Sequence, residues 1–281
     1  PRPPPFGGRL FSALRRKTAR LSREHVEDYL FPALMLIIAV AAWELFVRLD
    51  HVPSFVLPAP SQVVETLIKD WPTLFDSLLV TLTITCEALV AAVVGGVLLA
   101  LAFHMWRPLE RAFFPFAVVM QVTPVISIAP LLLVYLSSGE AVLVCAFLVA
   151  FFPILSNTAL GLSSVDHNLL DLFQMYRASR GRQLLWLRVP SALPYFLGGL
   201  RIGGGLALIG AIVAEIAAGS AGSGSGLAYR IVESGFRLNI PRMFAALVLI
   251  SLTGIAIYLA LSLLSYVLLH RWHDSARSRE S

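Results

Sequence analysis

Six long apolar segments constrain the fold of this 281-residue chain more than any other feature. A helix needs about 20 apolar residues to cross the hydrocarbon core of a bilayer. Only 14% of the residues are charged, whereas soluble domains average about 25%. The sequence therefore predicts an all-α membrane bundle of six transmembrane helices, at 30–49, 77–103, 109–136, 141–162, 194–217 and 243–269.

The Lys and Arg residues are distributed unevenly between the two sides of these segments. With the N-terminus inside, sixteen of the 22 lie on the inner side and five on the outer side, while Arg201 falls within the fifth segment. Because basic residues favour the cytoplasmic side, we expect an N-in/C-in orientation. The chain then divides into a basic cytoplasmic arm (1–28), a transmembrane domain (29–270) that includes the cytoplasmic loop 163–193, and a cytoplasmic tail (271–281).

The basic arm suggests contact with membrane lipid. Residues 9–24 have the apolar spacing of an amphipathic surface helix, and a tail held near anionic lipid explains the same charges equally well. A cleaved signal peptide is not expected, since the following apolar run is too long and lacks a small-residue cleavage site. Nucleic acid is not an expected partner, because the basic residues flank membrane segments and form no soluble basic face.

Two further connections lie on the predicted outer side. Three prolines within 53–60 exclude a helix there, and Ser61 is predicted to cap a surface helix over 62–70. The connection 218–242 opens with alternating glycine and serine, which predicts a flexible hinge or a close-packed re-entrant turn. It is not a nucleotide-binding loop, because it follows a membrane helix and no Gly-Lys-Ser/Thr follows.

The third segment contains two prolines, Pro124 and Pro130, and we expect its helix to be kinked or irregular at both. Irregular backbone inside a membrane is tolerated only where it is buried in protein or faces a water-filled cavity. In the fifth segment Gly199 and Gly203 form a small-xxx-small pair. This pair predicts close helix packing, within the subunit or across a dimer.

The loop 163–193 is the longest polar break between apolar segments in the C-terminal half. Ser163 followed by Asp166 predicts a helix start resembling a capping box. Apolar residues at helical spacing then predict a helix over 166–179.

The second part of this loop predicts another short helix. Arg180–Gly181 should break the first helix, and the second, 182–189, should end at Pro190. The small residues Ala178 and Ser179 at the bend would let a partner approach closely. An interfacial loop that only extends its arginines towards water explains the pattern equally well.

No pattern in the chain predicts catalysis. The two cysteines, Cys86 and Cys145, lie in apolar runs and are expected to be packing residues without a disulfide. No metal-ligand spacing, nucleophile with a base, or P-loop occurs. We therefore expect neither an enzyme nor a cofactor bound by this chain.

Short motifs in and beside the loop form a recognisable set: Ala178-Ser179-Arg180, Pro190 ten residues later, Ala192-Leu193-Pro194 and Gly199-Leu200-Arg201-Ile202. Others are spread over 40–270: Trp43-Glu44-Leu45, Leu57-Pro58-Ala59-Pro60-Ser61, Pro124, Ala129-Pro130-Leu131, Ala214-Glu215, Gly224, Gly226 and Leu227. Together they resemble binding-protein-dependent ABC importer permeases of the nitrate/sulfonate/taurine branch, whose cytoplasmic EAA loop corresponds to 163–193.

Two positions depart from the family pattern. Asp171-Leu172-Phe173 stands where the family has Glu-Ala-Ala, and Arg177 stands where it has a glycine. In the family this loop sits in a cleft of the ATPase subunit and transmits its closure. The resemblance implies that role for Asp171, Tyr176, Arg177, Ala178, Ser179, Arg180 and Pro190.

The resemblance implies the membrane-spanning subunit of an ATP-driven importer in the bacterial inner membrane. Its partners would be a second copy in a homodimer, two cytoplasmic ATP-binding subunits that use the ATP, and a periplasmic or lipid-anchored substrate-binding protein. The solute would be a sulfonate-, taurine- or nitrate-like anion, or a heteroaromatic compound such as a thiamine-precursor pyrimidine or a flavin.

Polar residues within the segments are the expected lining of a translocation path, although helix–helix hydrogen bonding explains each of them as well. They are Glu87, Gln121, Thr123, Ser127, Asn157 and Glu215. Glu87, near mid-depth, should face the bundle interior, because an unpaired acid there costs about 2.5–3.5 kcal/mol. Glu215 falls near the outer end of its helix, where this cost is small. A stand-alone secondary transporter that couples ions through Glu87 is the alternative function.

Overall fold

The computed structural model describes residues 30–219 and 224–270, and these are predominantly helical. The chain divides into two compact units, with the boundary between Glu65 and Thr66. The predicted arm and tail, including the surface helix expected over 9–24, lie outside the described residues.

The first unit contains helix α1, Leu30–Leu49, and the start of α2, Pro60–Lys69. Ser61 does not cap α2 as predicted. Its backbone N–H and its hydroxyl donate to the Glu44 carboxylate, at 3.0 and 2.8 Å, and α2 begins at Pro60, two residues before the predicted start. Pro60 can occupy the first helical turn because the N–H that it lacks would have no partner there.

The second unit contains the other helices. They are α3 (Trp71–Met105), α4 (Arg107–Val122), α5 (Val125–Leu132), α6 (Ser138–Ser163), α7 (His167–Met175), α8 (Arg180–Gln183), α9 (Val189–Ala218), α10 (Leu227–Phe236) and α11 (Ile240–Leu269). A π-helical turn, Leu184–Arg188, joins α8 to α9.

Within the described ranges, five helical runs are long and apolar enough to cross a membrane: α1, α3, α6, α11 and the 39-residue run Arg180–Ala218. The bent pair α4 and α5 makes a sixth candidate. All six predicted segments are therefore helical. The N-in/C-in orientation stays a prediction.

Small residues bring α6 and α9 close together. A Cβ at Gly199 would lie 2.8 Å from the Asn157 Cβ, and a Cβ at Gly210 would lie 2.9 Å from the Ala146 Cα. A Cβ at Gly203 would meet the Ile154 side chain at 3.0 Å. The predicted close packing of Gly199 and Gly203 is thus found within the subunit.

The loop between α6 and α9 starts differently from the prediction. Helix α6 continues through Ser163, whose hydroxyl donates to the carbonyl of Ala159 at 3.1 Å. Asp166 is the N-cap of α7, and its carboxylate accepts from the Asn168 N–H at 2.7 Å. The helix expected over 166–179 ends at Met175, because the chain turns before Arg180.

Two prolines do not act as predicted. Pro190 does not end the second helix, since the helical run passes through the π turn and continues as α9. Pro130 lies inside α5, and only Pro124 coincides with the break in the third segment. A proline removes a single hydrogen-bond donor, and neighbouring packing can hold the helix across that loss.

Helix α10 was not predicted from the sequence. Its buried residues Leu227 and Ala228 pack at its start, and Ser234 is buried one to two turns later. The apolar residues Leu227, Ala228 and Ile231 at helical spacing are the signal that could have located it, but ten residues are too few to stand out against long membrane segments.

Candidate functional site

The third segment is broken at residues 123–124, where α4 and α5 meet at an angle of 95°. Thr123 and Pro124 both have extended backbones there, so the helix cannot continue. A cleft of about 220 Å³ lies against this break. Its lining comes from α4, the break, α5, α6 and α9: Met120, Gln121, Thr123, Val125, Leu148, Val149, Pro153 and Leu206.

The cleft is apolar except for two side chains. The Thr123 hydroxyl donates to the Val119 carbonyl at 2.7 Å and can still accept a hydrogen bond. The Gln121 side chain is exposed and has no hydrogen-bond partner among the described residues. None of the described lining residues is charged. The cleft can therefore offer an amide and a hydroxyl to a solute, and no ion pair.

Two other predicted path residues lie outside this lining. Asn157 donates to the Pro153 carbonyl at 2.8 Å, on the side of α6 that packs against Gly199. Ser127 is exposed on α5. The structure thus brings Gln121 and Thr123 together at the cleft, and places Ser127 and Asn157 elsewhere.

The two acidic residues are placed differently from the prediction. Glu87 does not face the bundle interior: its side chain is exposed, whereas Ala88 and Ala92 on the same helix are buried, and it has no partner among the described residues. Glu215 is buried, with only 4% of its surface exposed, although it lies near a helix end. The sequence could not show that Glu87 is exposed or that Glu215 is buried, because burial depends on which face of a helix its neighbours cover.

Glu215 is buried because hydrogen bonds replace its water. The Thr81 hydroxyl donates to one carboxylate oxygen at 2.8 Å, and the Ala228 N–H donates to the other at 3.0 Å. Thr81 in turn accepts from the Leu227 N–H at 2.9 Å. A side chain at Gly226 would collide with this carboxylate.

Arg201 contributes no charge to the cleft. Its guanidinium lies 5.9 Å from the centre of the Tyr258 ring on α11, a cation–π distance. The cleft-lining residue of the same helix is Leu206, on another face.

The loop between α6 and α9 exposes a mixed surface, which we call the docking surface after the role expected from the sequence: Asp171, Leu172, Met175, Tyr176 and Arg177. Met175 and Tyr176 are each 81% exposed. Large apolar side chains this exposed beside charged ones are typical of a site that another protein covers.

A left-handed residue turns the chain after α7. Arg177 has φ of 52°, a conformation that glycine adopts without strain and other residues rarely adopt. The Arg177 N–H donates to the Gln174 carbonyl at 2.8 Å, and the Ala178 N–H donates to the Phe173 carbonyl at 2.9 Å. The family's glycine at this position, noted above, has the geometry that this turn needs.

The turn ends at a capped helix start. Ser179 is exposed, and its hydroxyl accepts from the Arg182 N–H at 3.4 Å as the N-cap of α8. Half-buried Ala178 accepts from the Gln183 side chain at 3.0 Å. Arg180 is exposed, and half-buried Pro190 lies in the first turn of α9. We call residues 167–183 the docking segment.

Residues 92–278 match the model of a family described as the binding-protein-dependent transport system inner membrane component. The chain belongs to this family. This permease is therefore a transport subunit and a multi-pass protein of the inner membrane. The family depends on a binding protein, so the alternative of a stand-alone secondary transporter is not supported.

Relatives of the permease carry different solutes. It is 34% identical over 240 residues to the formylaminopyrimidine transport permease of Halalkalibacterium halodurans, covering 85% of this chain and 94% of that one. It is 32% identical over 264 residues to the riboflavin transport permease of Chloroflexus aurantiacus, covering 89% and 94%. Permeases for aliphatic sulfonates, taurine and nitrate match at 24–26% identity, which confirms the predicted branch.

A solved structure shares the fold. The permease matches the crystal structure of an amino acid ABC transporter with histidines at a TM-score of 0.59. The match covers 71% of this chain and 96% of that one, at 18% sequence identity.

Proposed function

We propose that this permease translocates a small, uncharged heteroaromatic solute, driven by ATP hydrolysis in a partner subunit. The observation that carries the proposal is the cleft at the α4–α5 break, whose polar groups are an amide and a hydroxyl. Gln121 can both donate and accept, as the edge of a pyrimidine or flavin ring requires. A sulfonate or nitrate would leave its charge unpaired in this lining, which is costly. The formylaminopyrimidine and riboflavin permeases are also more similar to this chain in sequence than the sulfonate, taurine and nitrate permeases are.

The docking segment supports a cytoplasmic ATP-binding partner. With the predicted N-in/C-in orientation, residues 167–183 lie in the cytoplasm, where ATP is available. The apolar side chains of Leu172, Met175 and Tyr176 would enter a cleft on the ATPase, with Asp171 and Arg177 at its edge. The substrate-binding protein would deliver the solute at the opposite side of the membrane.

A second copy of the chain would complete the path. The cleft of about 220 Å³ is smaller than the roughly 300–1,000 Å³ of typical small-molecule sites. Two such clefts facing each other across a twofold axis would enclose enough space for a heteroaromatic ring system. This arrangement is a homodimer with two ATP-binding subunits.

The solute is tested by uptake into proteoliposomes that hold the purified transporter, its binding protein and internal ATP. We expect accumulation of labelled formylaminopyrimidine or riboflavin and no competition by taurine. Gln121→Leu should lower uptake by up to about tenfold, since one hydrogen bond contributes about 0.5–1.5 kcal/mol. Ser127→Ala, outside the cleft lining, is the matched control. Uptake of taurine or nitrate by the wild type would contradict the proposed solute class.

The docking segment is tested by a paired substitution. Ala178→Glu combined with Ser179→Glu should abolish uptake and release the ATPase subunit, while the permease stays in the membrane. Gly139→Glu is the control, because Gly139 is exposed and has open space around it. Co-purification from mild detergent followed by mass spectrometry measures the partner. Normal uptake by the paired variant would contradict the docking assignment.

A further inference from the structure

A single π turn, Leu184–Arg188, joins the docking segment to α9. The Val189 N–H donates to the carbonyl of Leu184, five residues back, where an α-helix would reach back four. The backbone is α-helical on both sides, and the helical run from Arg180 to Ala218 is continuous. The turn therefore holds one residue more than an α-helical turn would.

The sequence around this turn explains why it widens. A proline ring in a regular α-helix collides with the carbonyl four residues earlier, and for Pro190 that carbonyl belongs to Trp186. A wider turn just before Pro190 moves this carbonyl away from the ring. Pro194, four residues further along α9, lies in regular α-helix.

Contacts on both sides hold the turn in place. Leu187 is buried, and Leu184 packs against a core cluster that includes Leu162 and Ala192. Arg188 donates to the carbonyl of Leu162 at the end of α6, at 3.1 Å. The intervening residues Leu185 and Trp186 are exposed. The extra residue thus bulges outwards while the turn is fixed to α6.

We infer that this π turn sets the rotational position of the docking segment relative to α9, and that Pro190 is the positioning residue that keeps the turn wide. The inference rests on the proposed docking of residues 167–183. One residue of an α-helix corresponds to a rotation of about 100° and a rise of about 1.5 Å. Conversion of the π turn to α-helix would therefore turn the docking surface away from its partner.

The first test compares two prolines of one helix. Pro190→Ala should allow regular α-helix and lower solute uptake by about tenfold, the size of a typical coupling between two sites. Pro194→Ala, where no π turn exists, should keep wild-type uptake. Equal uptake by the two variants would overturn the inference.

A second test uses a deletion. The deletion should restore uptake if Pro190→Ala acts through rotation of the docking segment, whereas it would not reverse general structural damage. Pro190→Ala combined with deletion of Leu185 removes the extra residue together with the proline. The resulting α-helix restores the original rotation of the docking segment, so uptake should return towards that of Pro194→Ala. Lower uptake by this combined variant than by Pro190→Ala would overturn the inference. If Pro190→Ala alone does not fold, the combined variant decides.

A distance measurement separates this inference from the docking proposal. Spin labels at Ser163 and Met175, with Cys86 and Cys145 replaced, report the docking segment against the end of α6 in the permease alone. The distance should change in Pro190→Ala, stay unchanged in Pro194→Ala and return in the combined variant. The same distance between the two labels in all variants would overturn the π-turn inference, whether or not an ATPase binds. Loss of the ATPase from the wild-type complex would instead contradict the docking proposal.

Discussion

A single carboxylate, that of Glu215, holds the first turn of α10 against α3 and α9. It accepts the Ala228 N–H and the Thr81 hydroxyl, and Thr81 accepts the Leu227 N–H. Backbone N–H groups at a helix start have no partner within the helix, so an acidic side chain there is stabilising. Gly226 leaves the space that this carboxylate occupies.

Thr81→Val should therefore destabilise the permease by about 1–3 kcal/mol, because the Leu227 N–H and one oxygen of Glu215 lose a buried partner. Valine has almost the same shape as threonine, so packing is preserved. Thr83→Val on the exposed face of α3 is the matched control. Thermal unfolding in detergent measures the stability of the two variants, and equal unfolding midpoints would contradict this role of Thr81.

This network could not be predicted from the sequence. Glu215 and Thr81 are 134 residues apart, and only the packing of α9 against α3 brings them together. Glu87 was misplaced for the same reason, since hydropathy gives the depth of a residue and not the side of the helix that its neighbours cover. The break beside Gln121 and Thr123 could be predicted, because Pro124 locates it from local sequence alone.

At the scale of elements, the close packing of α6 against α9, which we call the seam, depends on glycines, because they have no side chain. Gly199, Gly203 and Gly210 lie against α6, whereas Gly198 and Gly205 on the same helix have open space. The spacing of small residues predicted this seam. The π turn and α10 could not be predicted, because proline usually ends a helix and short helices carry a weak periodic signal.

Gly210→Ala should destabilise the seam by about 1–3 kcal/mol, since its Cβ would lie 2.9 Å from the Ala146 Cα. Gly205→Ala should instead stabilise the permease by up to about 1 kcal/mol, because alanine favours the helix and its Cβ would meet no neighbour. Unfolding midpoints of the two variants give the comparison. A stabilised Gly210→Ala would show that α6 and α9 pack less closely than described.

At the scale of the whole molecule, membership of the family implies that an ATPase partner supplies the energy. The motifs in the sequence predicted such a partner. The described residues contain no group of three or more His, Cys, Asp or Glu side chains placed to hold a metal ion. Glu87, the mid-depth acid that a proton-coupled carrier would need, is exposed on α3.

Uptake should therefore continue in the presence of a protonophore as long as internal ATP is kept constant. Glu87→Gln should retain uptake, because no step of ATP-driven transport requires this carboxylate to exchange a proton. The variant that combines Ala178→Glu with Ser179→Glu, which should break the proposed docking contact, gives the background signal of the assay. Collapse of uptake by the protonophore at constant ATP would contradict the ATP-driven mechanism.

The continuous run from Arg180 to Ala218 links two distant events thermodynamically. Its 39 residues extend roughly 60 Å, from the start of α8 to the turn beyond Glu215. If a ligand at one end favours one rotation of this helical run and thereby changes the affinity for a ligand at the other end, the second ligand changes the affinity for the first by the same factor. If the proposed docking is right, an antibody fragment that binds α10 should therefore alter the affinity of the ATPase for the docking segment, even though the antibody and the ATPase never touch.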